Sequence, residues 1–121
     1  MINSERRSAV VIGGGPAGLS AAIAAYDAGA KDVLILERDG RLGGILNQCI
    51  HAGFGLTLFK SELTGPEYAA RLIEMAAERG IEYRLNTAVT RVDADKIVTC
   101  VSREGVSRIA ASAVVLACGC R

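Results

Sequence analysis

The stretch Val-Val-Ile-Gly-Gly-Gly-Pro-Ala-Gly-Leu-Ser-Ala-Ala, residues 10–22, limits what this chain can fold into more than any other. An apolar β-branched run enters a cluster of glycines, and an alanine-rich helical stretch leaves it. Gly13, Gly15 and Gly18 supply the spacing G-x-G-x-x-G. In that spacing the first glycine permits a sharp turn out of a strand. The second lets a pyrophosphate approach the backbone without meeting a Cβ, and the third brings the helix close to the sheet. Pro16 and Ala17 open the helix, whose first N–H groups and partial positive charge suit a phosphate.

Alone, a G-x-G-x-x-G is weak evidence, so its surroundings decide. Ser8 to Gly13 reads as a strand, Pro16 to Ala28 as a helix stopped by Gly29, and Val33 to Leu36 as a second buried strand. Together they form one βαβ unit with parallel strands. The second strand ends in Glu37, about twenty residues past the fingerprint, where an acid accepts hydrogen bonds from a ribose diol and repels a 2′-phosphate. The competing reading, a glycine-rich turn beside a surface glutamate, does not explain this joint match.

The remaining chain completes an α/β pattern. Arg38 to Leu63 is irregular and glycine-rich, and loops of that length usually carry function or are poorly ordered. Thr64-Gly65-Pro66-Glu67 has a capping-box pattern, and Tyr68, Leu72, Met75 and Ala76 fall on one helical face before Gly80. Ile81 to Leu85 reads as a third strand. Ala88 to Val92, Lys96 to Val101 and Val106 to Ala110 read as a three-stranded antiparallel meander, and Ala113 to Ala117 as a last strand. The expected fold is a Rossmann-like parallel sheet with the first strand central, flanked by the second and the last, and the third outside the second. The meander should lie over one face in place of a crossover helix.

Composition narrows the function classes. The chain has 121 residues, 50% of them apolar but only 4% aromatic, with a net charge of +1. One domain with a real core follows, and nucleic acid is excluded as a partner by the lack of a basic run with interleaved aromatics. No segment is long and apolar enough to span a membrane. The basic start before the apolar stretch superficially resembles an export signal, but Gly13-Gly14-Gly15-Pro16 would break a signal helix. Four cysteines with no C-x-x-C pair, and a single histidine, argue against a zinc site and for reduced thiols in the cytoplasm.

Together, Gly13 to Gly18, Glu37, the pair Gly43-Gly44, the meander and the closing Ala117-Cys118-Gly119 resemble the amino-terminal FAD segment of the two-dinucleotide-binding-domain flavoproteins, the pyridine nucleotide–disulfide oxidoreductase superfamily. The closing motif departs from the family's Ala-Thr-Gly, because Cys118 replaces the threonine. At a finer level, Leu42 to Gly55 and Glu62 to Ala69 resemble FAD-dependent oxidoreductases found near glycerol-3-phosphate dehydrogenase genes. Related subgroups include the flavin subunits of amino-acid, opine and cyanide-forming dehydrogenases.

The resemblance implies FAD as cofactor and NAD(P)H or a small reduced substrate as hydride donor. It places the pyrophosphate at Gly13, Gly15, Pro16, Ala17 and Gly18, the ribose at Glu37, and the adenine near Arg38 and Val89. Gly44 and Ile45 would run along the flavin, and Ala117 and Gly119 would close the site. It also implies that residues 1–121 are the amino-terminal part of an FAD-binding domain. The NAD(P)H domain and the carboxyl-terminal FAD half would then be absent, and the segment alone inactive.

A dithiol relay after the glycine pair is excluded, since only Cys49 lies there. Cys49 and His51 are either a thiolate with its base or, as preferred here, a buried thiol and a histidine bonding a loop carbonyl. Catalytic residues are not assigned. Two rival readings stay open: an NAD-dependent dehydrogenase domain, and a non-enzymatic nucleotide-binding or interaction module. A homo-oligomer or a partner redox subunit is compatible with each.

Overall fold

The computed structural model describes residues 3–44 and 65–118. Ile45, Cys49, His51, Thr64, Gly119 and Cys120 lie outside the described residues, as does most of the long glycine-rich loop. Eight elements follow in chain order: β1 (Asn3–Ile12), α1 (Pro16–Asp27), β2 (Val33–Leu36), α2 (Gly65–Glu78), β3 (Glu82–Arg84), β4 (Ala88–Val92), β5 (Ile97–Ser102) and β6 (Gly105–Leu116). The strands form one sheet in the order β3-β2-β1-β6-β5-β4. β1 is parallel to β2 and to β6, β2 is parallel to β3, and β4, β5 and β6 are antiparallel in turn. The order expected from the sequence, with the first strand between the second and the last, is the order observed.

Two apolar clusters sandwich the parallel strands. On one side Ala9, Val11, Val33 and Ile35 pack against Leu19, Ala22 and Ile23 of α1 and Leu72 and Ala76 of α2. The helical face read from the sequence is therefore the buried one, with Tyr68 and Met75 partly covered beside it. On the other side Val10, Ile12, Leu34 and Leu36 meet Val98, Cys100, Ile109 and Ala111. The meander thus covers this face in place of a helix, while staying hydrogen-bonded to the sheet through β6. Each fully buried Val, Leu or Ile contributes about 1.5–3 kcal/mol of transfer free energy.

The structure corrects two element boundaries. β1 starts at Asn3, five residues before the expected Ser8. Its charged opening is paired along Ser107 to Ala111 and is no solvated tail. The third meander segment and the last strand are also a single strand, Gly105–Leu116, which serves β5 on one edge and β1 on the other. The weak strand formers Ala110, Ala111 and Ser112 suggest a break in the sequence, but hydrogen bonding to β1 carries the strand through them.

Charge pairing explains how the opening of β1 tolerates burial. Arg84 of β3 donates from Nη1 and Nη2 to the two oxygens of Glu5, at 2.7 and 3.0 Å. Arg7 donates to Glu5 at 2.9 Å, Asp32 at 3.0 Å and Glu82 at 2.8 Å. The Arg84 guanidinium holds the Glu5 carboxyl below the ordinary glutamate range, against the opposing effect of burial, and Arg7 does the same for Glu82. A carboxyl depressed in the folded state adds stability above its unfolded pKa, about 4.3, and loses it as pH falls through the folded value. Glu5→Gln is therefore expected to cost about 1–2 kcal/mol at neutral pH, since these groups stay partly solvated. In urea unfolding measured against pH, the gap to the parent protein should close below about pH 4. A gap independent of pH would show that packing, not charge, is what Glu5 contributes.

Candidate nucleotide-binding site

The glycine turn is held from three sides. Gly13 N–H donates to Leu36 O at 2.8 Å, and Ala117 N–H donates to Ile12 O at 2.8 Å. Gly13 has φ +113°, and a Cβ built on it would collide with the carbonyl of Ala117. Gly18, in the first turns of α1, lies so close to Gly13 O that a Cβ would overlap it, with Val11 Cγ1 only 3.4 Å away. The first and third glycines therefore have the mechanical roles that their spacing suggests. Among the described residues, the heavy atom near a Cβ built on Gly15 is Gly44 Cα, at 3.8 Å, so none of them fills that side of the turn. α1 starts at Gly15 with Pro16 in its first turn, no side-chain cap and no acid there.

Glu37 is the charged residue built most deeply into the site, at 4% exposure. Its Oε1 accepts the Gly14 N–H and its Oε2 accepts the Asp39 N–H, each at 2.8 Å. Its own N–H donates to Arg84 O at 2.9 Å, and its carbonyl accepts Thr87 N–H at 3.0 Å. Glu37 thus ties the glycine turn to the end of β2 through its carboxylate, and to the start of the meander through its backbone carbonyl. A carboxylate oxygen has two lone pairs and can accept more than one hydrogen bond, the chemistry that a ribose diol calls for.

These groups open on a cleft of about 350 Å³ lined by Ile12, Gly13, Leu36, Glu37, Arg38, Thr87, Ala88, Val89 and Cys118. Gly13, Glu37, Arg38 and Val89, singled out from the sequence, are therefore brought together on one cavity. Gly15, Pro16, Ala17 and Gly18 form the adjoining turn, and Gly44 approaches it, 3.1 Å separating Gly15 Cα from a Cβ built on Gly44. Ala117 sits under Gly13 and is not in the cavity lining. Sequence reasoning missed Gly14 and Thr87. Gly14 fills an unspecified position of the fingerprint, and its role depends on Glu37, 23 residues away. Thr87 is buried and turns its hydroxyl onto Leu85 O at 2.9 Å, a contact that no local pattern announces. Among the described residues no cluster of His, Cys, Asp or Glu could hold a metal ion. Cys100 and Cys118 are free thiols, the first buried as expected for the meander.

Comparison with known proteins follows the same line. Residues 9–57 match the family described as FAD dependent oxidoreductase, a span that contains the glycine turn, Glu37 and the Gly43-Gly44 pair. That segment is similar to FAD-dependent oxidoreductases. The chain is 31% identical over 117 residues to the hydrogen cyanide synthase subunit HcnB of Pseudomonas protegens, covering 92% of this chain and 24% of that protein. HcnB is by name a subunit of a cyanide-forming enzyme, one of the related subgroups given above. Among solved structures, L-proline dehydrogenase from P. horikoshii is 26% identical with a TM-score of 0.78, over 98% of this chain and 24% of that one. The bacillithiol disulfide reductase of Bacillus cereus, 20% identical with a TM-score of 0.76 over 94% of this chain and 40% of that one, shares the fold. The chain therefore spans about a quarter of the curated relative that it matches. No helix among the described residues is long and apolar enough to cross a membrane.

Proposed function

We propose that this chain holds the adenosine and pyrophosphate end of FAD in a flavin-dependent oxidoreductase. The observation that carries the reading is Glu37: a nearly buried carboxylate, fixed by two backbone N–H groups, on the wall of a cleft that opens beside an uncapped helix start. The residues fit the cofactor, because no described residue other than Gly44 comes near the side of Gly15 that a Cβ would fill and the first turn of α1 offers N–H donors to an anion. When bound, the flavin supplies hydride acceptance, from NAD(P)H or from a small reduced substrate. The chain's own residues bind and orient: Gly13, Gly15, Pro16, Ala17 and Gly18 cradle the pyrophosphate and Glu37 accepts the ribose. Arg38 and Val89 flank the adenine, and Gly44, with Ile45 and Gly119 beyond the described residues, continues toward the flavin. Residues 1–121 then act as the amino-terminal part of an FAD-binding domain, working with reduced thiols in a cytoplasmic setting.

Calorimetric titration of the purified protein with ADP, 2′-phospho-ADP-ribose and FAD tests this. ADP and FAD should compete for one site. The 2′-phosphate should weaken binding at least about tenfold, because it meets the Glu37 carboxylate at close range. Binding should also be weak where the apolar walls for the flavin ring are not supplied. Equal affinity for the two adenosine ligands would remove Glu37 from the ribose. Binding of NAD but not FAD would favour the dehydrogenase reading instead.

A further inference from the structure

The helix-covered side of the sheet continues past the helices onto the meander. Ile109 and Ala111 face the buried cluster, as do Val98 and Cys100, so the residues alternating with them face outward. On that outer face Arg91 of β4 is in register with Thr99 of β5, Thr99 with Arg108 of β6, and Arg108 with Ser4 of β1. Arg6 lies two residues further along β1, opposite Ala110. A bulge between Val89 and Arg91 is what turns Arg91 onto this face. The next row is Val101 paired with Val106, each 38% exposed.

Arg6, Arg91 and Arg108 are all exposed, and among the described residues none forms an ion pair. The inner-face arginines behave oppositely: Arg7 and Arg84 share three carboxylates between them. Thr99 separates Arg91 from Arg108 and Arg6 is a diagonal neighbour of Arg108, so three arginines without an ion pair among the described residues gather like charge on one face, with a valine pair in the next row. The nearby acids are at the hairpin turns, and Asp93 is turned onto the N–H groups of Asp95 and Ile97.

We propose that this outer face docks an acidic amphipathic helix of a partner protein. Arg91 and Arg108 are two strands apart, about 10 Å, and Arg6 is a diagonal neighbour of Arg108 at about 7–8 Å. Arg91 and Arg6 lie on opposite sides of Arg108, so the spacings follow one another: carboxylates at i and i+7 of a helix are about 10.5 Å apart along its axis, and those at i+7 and i+11 about 6 Å, all on one face. Apolar side chains flanking that acidic row meet Val101 and Val106. Arginine beside exposed aliphatic side chains is the composition expected of a protein interface, whereas no aromatic anchor for a bilayer stands on these rows. The face is separate from the nucleotide cleft and does not depend on what fills it.

The test is fluorescence anisotropy of the purified protein with an alanine-based helical peptide of about 20 residues, carrying Glu at i, i+7 and i+11 with leucine alongside. A Gln version and mixed phosphatidylcholine–phosphatidylserine vesicles serve as comparisons. The Glu peptide should bind, weaken steeply with salt, and lose about tenfold in affinity on Arg91→Ser with Arg108→Ser. Arg91→Lys with Arg108→Lys should retain most of the affinity, and unfolding curves should show every variant folded. Equal binding of the Gln peptide, undiminished binding by the serine variant, or no peptide binding would overturn the proposal. Binding of the vesicles in preference to the peptide would assign the face to lipid and overturn it too.

Discussion

Gly13→Ala is expected to remove about 3–5 kcal/mol of folding stability, enough to unfold much of the population of a marginal domain. Two costs combine. Alanine at φ +113° is strained by about 1–3 kcal/mol, and its Cβ would drive into the Ala117 carbonyl, a backbone atom that no rotamer change can move. Gly29 separates the two. It has φ +117° with no described residue within 4 Å of a built Cβ, so Gly29→Ala meets the conformational cost without a collision among them. Equilibrium urea unfolding of both variants should show Gly13→Ala worse by at least about 1–2 kcal/mol. Equal losses would mean that the approach of β6 to the glycine turn is looser than the structure describes.

The second large effect belongs to Glu37. Glu37→Gln keeps the shape but offers one acceptor oxygen where two are needed. Either Gly14 N–H or Asp39 N–H is then left facing an amide NH2 in a buried position. The cost should be about 2–4 kcal/mol, the range for a buried charged hydrogen bond unmade with its partner stranded. Glu37→Arg should be worse than a lost ribose contact alone would suggest, because it adds a second cation to a buried site built around an acceptor. Thermal melts with and without ADP separate the two roles. The apo midpoint should drop, and the stabilisation by ADP should shrink in the fraction that still folds. An unchanged apo midpoint would show that the carboxylate is not what holds the turn. An unchanged ADP increment would show that it does not reach the ribose.

The double role of Glu37 marks the boundary of what the sequence discloses. Its position after β2 is legible because strand, glycine turn, helix and strand are local patterns with fixed spacing. Its grip on Gly14 and Asp39 is not, since Gly14 is a permissive position of the fingerprint and the contact forms only on folding. The same holds for β1. Val10, Val11 and Ile12 announce a strand through β-branching, but Glu5 and Arg7 carry no such signal, and Arg84 and Glu82 pair with them from a strand almost eighty residues later. β6 was read as two strands because Ala110, Ala111 and Ser112 carry little intrinsic preference, and a tertiary partner decided their state. Buried apolar positions were legible almost throughout, because periodicity records which face meets the core.

β6 also sets the order in which this molecule can be completed. β1 and β2 are neighbours in both sequence and space, so their ladder can form early. The other edge of β1 is reserved for a strand whose register begins with Asn3 against Ser107 and ends with Ile12 against Leu116. On a ribosome, that edge stays open until Gly105–Leu116 has emerged, an unpaired row of backbone donors and acceptors beside exposed Val10 and Ile12. Such long-range closure is the slow kind, and what shields the waiting strand meanwhile is the charge of Glu5, Arg6 and Arg7 at its start. Glu5 and Arg7 therefore serve twice: as a guard against association while the edge is bare, and as the seal once β3 arrives.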